Sequence, residues 1–288
     1  MSAILVTGAS GNVGSAVVRA LDAAGADVRR AQRKGGPSGP GSVNFNFTDP
    51  ATWAQAFAGV ESMFLVRPPA VGNVKRDLLP AVSAARDAGV RHVVFLSLQG
   101  AQKNKVVPHA AVEKWLRASG MDWTFVRASF FHQNLSTTHV SDVRDRNEIV
   151  VPAGRGATAF VDVDDVGAVA AAALLNPAAH RNTAWTITGP RALTYDEVAS
   201  LLTGELDRPI RYTRPGVLRY SRHARQNLGM GWGMVAVTSA IYTAARLGLA
   251  AGLSDDVRTV LGRDPIDFAQ FAHRERAVWN PHPIVPAA

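Results

Sequence analysis

The 288 residues include no cysteine, which removes disulfides, thiolate catalysis and cysteine-held metals from consideration. Aromatic residues make up only 7% of the chain, and nowhere are they interleaved with basic residues as on a base-stacking platform. Nucleic acid is therefore not expected as a partner, although the net charge is +8 and the pI near 10.4. An anionic cofactor or a solvated basic surface accounts for the excess. Met1-Ser2-Ala3 leads straight into an apolar run with no basic stretch and no cleavage site, so a cytoplasmic protein is expected. Uncharged runs of 20 residues or more are nearly absent. The one present, Gln226 to Ala245, covers 20 residues but is diluted by Gly229, Gly231, Gly233, Thr238, Ser239 and Thr243. A buried helix is expected there rather than a membrane span, and no membrane contact is expected.

What is present organises around the first 34 residues. Ala3-Ile4-Leu5-Val6 is a short apolar run of the kind a buried parallel strand shows. Val13, Val17, Val18 and Leu21 are spaced to form one face of a helix that Gly25 closes. Between them lies Thr7-Gly8-Ala9-Ser10-Gly11-Asn12-Val13-Gly14, so three glycines fall where a strand turns sharply into a helix. Gly8 serves the tight turn, Gly11 the close approach of backbone to a pyrophosphate, and Gly14 the packing of helix on strand. Thr7, Gly8, Ser10, Gly11, Asn12, Val13 and Gly14 are thus the cofactor-loop candidates, with phosphates on free N–H groups at the helix N-terminus.

A second strand follows at Asp27 to Ala31, and its tip should meet the adenosine ribose. An acid there binds the 2′-hydroxyl of NAD, whereas an arginine accommodates the 2′-phosphate of NADP. No Asp or Glu lies between residues 28 and 48, while Arg29, Arg30, Arg33 and Lys34 crowd the tip. NADPH is preferred, with Arg33 and Lys34 as its phosphate ligands. Further strands are expected at Val43 to Phe47, Ser62 to Val66, His92 to Ser97 and Met121 to Arg127, alternating with helices, one of them from about Asn73 to Ala88. Arg67-Pro68-Pro69 makes a stiff rim where a cofactor ribose would pass, adding Arg67 and Pro68 to the candidates. This alternation predicts an α/β protein with a doubly wound parallel sheet. Beyond Ala128 it loosens, and a smaller α+β lobe is expected. The expected division is 1–128 with 155–188 returning to the sheet, against a lobe of 129–154 and 189–288. Thr194-Tyr195-Asp196-Glu197 reads as a capping box, and Asp255 to Leu261 and Asp267 to Arg276 as helices of the lobe.

Several stretches together resemble the NmrA-like branch of the atypical short-chain dehydrogenases/reductases. They are the glycine loop, Phe95-Leu96-Ser97-Leu98-Gln99-Gly100-Ala101, Ser119-Gly120-Met121-Asp122-Trp123-Thr124-Phe125-Val126-Arg127, Phe160-Val161-Asp162-Val163-Asp164-Asp165-Val166 and Val260-Leu261-Gly262-Arg263-Asp264-Pro265. The resemblance implies an NAD(P)-binding Rossmann core and a C-terminal lobe covering a cleft. It also implies one of two occupations: NADPH-dependent reduction of a small-molecule acceptor such as a quinone or a dye, or redox sensing with a protein partner and no turnover. A homodimer stays open.

The best-known short-chain dehydrogenases use a Ser followed by Tyr-x-x-x-Lys on the next helix. Ser97 matches the Ser position, but Pro108-His109-Ala110-Ala111-Val112-Glu113 puts His109 at the Tyr and Glu113 at the Lys. Lys114 is one residue late, about 100° around the helix. His109 and Glu113 are i,i+4 neighbours able to pair, as a proton relay or as an ordinary surface pair. Ser97, His109 and Glu113 are the catalytic candidates. Phe130, Phe131, His132 and Asn134, where the chain leaves the sheet, are the candidates to line the acceptor cleft between the lobes. Quinones and cationic dyes accept hydride readily because the charge is delocalised or neutralised, so the missing Tyr–Lys pair points away from simple alcohol dehydrogenation.

Overall fold

The computed structural model describes residues 3–33, 35–36, 39–69 and 71–280. Strand and helix alternate from the start: β1 (Ala3–Val6), α1 (Asn12–Ala23), β2 (Val28–Gln32), β3 (Ser42–Asn44), α2 (Trp53–Phe57), β4 (Val60–Leu65), α3 (Val74–Asp77), α4 (Leu79–Asp87), β5 (His92–Leu98), α5 (Pro108–Ala118) and β6 (Asp122–Ala128). The chain then leaves the sheet for α6 (Val140–Arg146), β7 (Glu148–Ile149) and β8 (Ala157–Thr158). It returns through α7 (Val163–Leu175), α8 (Pro177–His180) and β9 (Thr183–Ile187). Last come β10 (Leu193–Thr194), α9 (Tyr195–Leu206), β11 (Arg211–Tyr212), α10 (Val217–Gln226), α11 (Trp232–Arg246), α12 (Asp256–Leu261) and α13 (Phe268–Trp279).

The chain divides into two compact units. The first holds the described residues of Met1–Ala128 with Val163–Ile187 and Asp256–Arg263. The return to the sheet thus begins later than residue 155, and α12, expected in the lobe, belongs to the first unit instead. The reason is local: the Asp256 carboxylate accepts from the Thr186 backbone N–H at 2.6 Å, tying α12 to β9.

The first unit is a parallel sheet of seven strands in the order β3-β2-β1-β4-β5-β6-β9. Its central strands are apolar on both faces because helices cover both, and β1 is buried throughout. α1 packs against the sheet through Val13, Val17 and Leu21, and Gly25 at φ +70 ends it. α7 lies against α1 so closely that a Cβ on Gly167 would stand 2.6 Å from the Cβ of Ala16. The helix expected from Asn73 to Ala88 is two helices, broken at Leu78 (φ −126, ψ −50). Pro80, two residues on, has no N–H to give a continuing helix and stands instead in the first turn of α4.

The second unit comprises the described residues of Ser129–Asp162, Thr188–Asp255 and Asp264–Ala288. Phe160, Tyr195, Leu202, Tyr220, Tyr242, Phe268, Phe271 and Trp279 build its core. The capping box at Thr194 and Glu197 is present, and a second one, Asp267 with Gln270, opens α13. The apolar stretch Phe160 to Val163 forms only an isolated bridge, from Val161 to Phe131. α11 departs most from expectation. Of its residues only Val235, Tyr242 and Ala245 are buried, so the uncharged run is half exposed rather than buried.

Candidate functional site

Strand order reverses between β1 and β4, and ligands of doubly wound sheets bind in the crevice outside the carboxyl ends of the strands at that point. The glycine loop occupies it. Gly8 sits at φ +63, a left-handed conformation that favours glycine. The Gly11 N–H returns to the Gly8 carbonyl at 2.9 Å, closing the turn. Gly14 admits no side chain, since a Cβ there would stand 2.0 Å from the Gly8 carbonyl oxygen and 3.1 Å from the Ala9 Cα. The contact that needs a glycine is therefore loop against helix. At Gly11 a Cβ would meet only the Gly8 oxygen, at 3.3 Å.

Gly11 is the N-cap of α1, no side chain caps this helix, and its first turn holds no acid. The N–H groups of Asn12, Val13 and Gly14 thus face the end of the helix where the macrodipole favours an anion. A diphosphate group fits this cradle. Ser10 and Asn12 are exposed beside it. Thr7 is not offered to a ligand: it is fully buried, its hydroxyl donating to the Phe64 carbonyl and accepting from the Val66 N–H, each at 2.9 Å. Its work is to lock the ends of β1 and β4 together.

The basic tip of β2 separates into two kinds of arginine. Arg29 donates to the carbonyls of Gln55, Ala56 and Ala58 at the end of α2, and Arg30 is held by both Asp22 oxygens at 2.7 Å. Arg33 is exposed, and its side chain makes no hydrogen bond or ion pair among the described residues. Lys34 lies outside the described residues. Arg67 turns back on its own loop, donating to the carbonyls of Pro68 at 3.1 Å and Val71 at 2.8 Å, and burial lowers its pKa. It holds the rim together, with Pro68 half-buried beside it.

The catalytic candidates are arranged otherwise than the helix spacing suggests. Glu113 faces inward and pairs with Arg127, which donates from Nε to Oε1 at 3.0 Å and from Nη2 to Oε2 at 2.6 Å. The Ser97 hydroxyl donates to the same carboxylate at 2.7 Å. Ser97 and Arg127 are register partners across β5 and β6, so one carboxylate from α5 closes over both strands. All three residues are buried. Glu113 and Ser97 are thereby committed to each other and to Arg127, and Glu113 is no relay partner for His109. A buried carboxylate requires a cation. Lys114 points to solvent, and the neighbouring strand supplies Arg127 instead.

His109 stacks on Phe95 with ring centroids 5.8 Å apart. Burial lowers its pKa to about 4, with the positive charge of Arg67 adding to the effect and Glu113 opposing it. The imidazole is therefore neutral at neutral pH and is a poor source of a proton.

In the second unit, Phe130 packs partly buried against Phe160 and Tyr242, while Phe131 and Asn134 are half-buried. His132 is not available to line a cleft. It is 1% exposed, ringed by Phe160, Phe268 and Phe271, with Nδ1 3.8 Å from the Asp162 carboxylate. The aromatic core of this unit encloses it.

Residues 1–220 match the model of the NmrA-like family. The chain belongs to that family. An NAD(P)H azoreductase from Xenophilus azovorans is 33% identical over 96% of this chain and 99% of its own length. A triphenylmethane reductase from Citrobacter sp., solved with NADP(H), shares the fold with a TM-score of 0.80 at 23% identity, covering 95% of this chain and 99% of that one. The NADPH-dependent quinone oxidoreductase QOR2 of Escherichia coli, solved with NADPH, gives 0.78 at 22% identity over 96% and 100%. In this chain the departure from Tyr-x-x-x-Lys takes a definite form, an inward acid, Glu113, with its arginine, Arg127, on the next strand. Sequence reasoning missed Arg127 in that role. The signal was legible: an arginine inside the otherwise apolar strand Thr124-Phe125-Val126-Arg127-Ala128 needs a buried acid, and Glu113 lies between Val112 and Leu116 on the buried side of α5.

Proposed function

We propose that this NmrA-like chain is an NADPH-dependent reductase passing hydride to an electron-poor organic acceptor, of the class of quinones, azo compounds and cationic dyes. The observation that carries the reading is the uncapped N-terminus of α1, packed so closely on the glycine loop that Gly14 admits no Cβ, with the unengaged Arg33 at the tip of β2. Asn12, Val13 and Gly14 hold the diphosphate through backbone N–H groups, and Arg33 holds the 2′-phosphate. Arg67 and Pro68 keep the rim rigid where the ribose passes. Bound there, the reduced nicotinamide supplies the hydride. The names of the azoreductase, triphenylmethane reductase and quinone oxidoreductase relatives support the acceptor class.

The first unit's own residues support it too. Ser97 and Glu113 are consumed by Arg127, and His109 is held neutral, so no strong acid among these residues is poised to protonate an alkoxide. Acceptors that spread or neutralise the incoming charge do not need one. For them, placing the acceptor against the cofactor and excluding water is the main contribution. Phe130, Phe131 and Asn134 are the proposed acceptor-lining residues.

NADPH consumption against a quinone, an azo dye, a triphenylmethane dye and a simple aliphatic ketone tests the proposal. Turnover of the first three and none of the ketone is expected. In parallel, Arg33→Ala should weaken NADPH by roughly 1.5–3 kcal/mol, the strength of a charge-assisted contact, and leave NADH unchanged. NADPH binding with no turnover of any acceptor would favour a cofactor-sensing protein instead, and an unchanged NADPH/NADH ratio in the variant would remove Arg33 from the site.

A further inference from the structure

α11 carries no charge from Trp232 to Ala245, and its large apolar residues fall on more than one side of the helix despite Thr238, Ser239 and Thr243. Such a helix ordinarily lies inside a core. Here its inner face, Val235, Tyr242 and Ala245, is buried, while Trp232 is 67%, Val237 54% and Ile241 42% exposed. Just past the helix end Leu247 (69%) and Leu249 (76%) are exposed as well, as is Leu218 (89%) on α10, which packs against α11.

The charges carried by this segment itself are of one sign, its acidic contacts coming from outside it, Asp142 to His223 and Asp196 to Arg214. From residue 208 to residue 254 there is no acid, and there are seven arginines: Arg208, Arg211, Arg214, Arg219, Arg222, Arg225 and Arg246. Some are engaged inside the unit. Arg208 donates to the carbonyls of Val143 and Trp279, Arg214 pairs with Asp196, and Arg225 donates to the Met230 carbonyl and lies 5.2 Å above the Trp232 ring. Arg219 and Arg222, one helical turn apart on the exposed side of α10, have no acidic partner among the described residues.

We infer that this face, α10 with α11 and the segment to Leu253, docks on an anionic lipid bilayer. Leu218, Trp232, Val237, Ile241, Leu247 and Leu249 would enter the headgroup–acyl boundary, and Arg219 and Arg222 would meet lipid phosphates. The contact is peripheral, since no helix among the described residues is long and apolar enough to cross a membrane. Charge decides between a bilayer and a second copy of the chain. A twofold contact through this face would set arginines against arginines with no acid in the patch to separate them, whereas anionic headgroups complement them. The inference stands apart from the reductase reading, and it departs from the sequence-based expectation of no membrane contact.

The test is cosedimentation of the full chain with vesicles of roughly three parts phosphatidylcholine to one part phosphatidylglycerol, against phosphatidylcholine alone. Binding to the anionic vesicles, weakened by salt, is expected. Because the whole protein is basic, two charge-matched double variants are compared. Arg219→Glu with Arg222→Glu should lower the binding constant by about thirty-fold or more, at about five-fold per arginine removed. Lys103→Glu with Lys105→Glu, on exposed positions of the first unit, should change it by no more than about three-fold. Brominated acyl chains should quench tryptophan emission in the wild-type chain, and this quenching should vanish in Trp232→Phe. Equal losses in the two double variants, or quenching unchanged without Trp232, would overturn the inference. So would a stable dimer abolished by Val237→Glu, which would show that a second copy covers the face.

Discussion

Replacing Glu113 by glutamine keeps its shape and removes its charge, and the cost can be worked from its surroundings. Arg127 is 8% exposed, and its guanidinium is satisfied by the Glu113 carboxylate at 2.6 and 3.0 Å. Among the described residues the one other cation within 4.0 Å of that carboxylate is Arg117, whose Nη2 stands 4.0 Å from Oε2 on the rim of the pair. Glu113→Gln therefore strands a buried arginine, and breaking a buried pair from one side costs about 3–5 kcal/mol. The carboxylate here also accepts from Ser97, whose hydroxyl a glutamine oxygen still receives, so the low end of that range is expected. Arg127→Met alone should cost a similar amount. The double variant Glu113→Gln, Arg127→Met should recover at least about 1 kcal/mol relative to the sum of the two, since neither leaves an uncompensated charge. Urea unfolding followed by tryptophan fluorescence measures all three. Turnover of correctly folded Glu113→Gln should fall by much less than the roughly 10²–10⁴-fold of a lost acid or base. A destabilisation below about 1 kcal/mol together with a thousandfold loss of turnover would refute the reasoning and return Glu113 to catalysis.

Gly14→Ala should destabilise the first unit by about 1–3 kcal/mol and weaken NADPH, because backbone rather than a flexible side chain blocks the added methyl. Equilibrium dialysis and thermal melts check this, and Gly11→Ala is expected to disturb folding less. His109, with its pKa lowered to about 4 by burial, should leave no step in turnover between about pH 5 and 8. A step in that window that vanishes in His109→Ala would show a titrating imidazole. His92 tests the acid side of stability. Its Nε2 donates to Thr124 Oγ1, which itself donates to the His180 carbonyl, and its Nδ1 is buried without a partner. Burial lowers its pKa from 6.5 to about 4, with Asp122 opposing and His180 adding. The folded state then binds fewer protons than the unfolded one, so stability is unaffected above pH 6.5 and is lost as pH falls from there towards 4, by up to about 3 kcal/mol. His92→Gln should flatten urea midpoints over that window, and an unflattened slope would assign the loss to other groups.

Much of this was legible in the sequence, for identifiable reasons. The glycine loop, the strand alternation and the Thr194–Glu197 box depend on neighbours within a few residues, and local rules read such features well. What local rules missed involves partners far apart in the chain. Glu113 looked like a mate for His109 four residues away, and was claimed by Arg127 from the next strand. Thr7 looked like part of a phosphate loop, and was claimed by Phe64 and Val66 on β4. Arg29 and Arg30 looked like Arg33, yet carbonyls and Asp22 engage them and leave Arg33 alone. The uncharged run at α11 misled in the opposite sense, since composition says a surface wants covering but not whether the same chain covers it.

The substitution at α5 has a consequence beyond one pair. A lysine at position 113 would bring a movable cation on a flexible stem, able to reach outward and lower the pKa of a neighbouring proton donor. The present arrangement encloses both charges: Arg127 commits its fork to Glu113, and Ser97 donates its proton to the same carboxylate. The cation left beside His109 is Arg67, fixed to carbonyls of its own loop, and its charge adds to burial in keeping the imidazole neutral. This corner of the first unit is thus rigid, and its acid and base are already satisfied. On the reductase reading, such a wall can hold an acceptor in place but cannot hand it a proton. An acceptor that needs a proton in the same step as the hydride would therefore react slowly here. One whose charge is spread over a conjugated system, or cancelled by a cation it already carries, would meet no such obstacle.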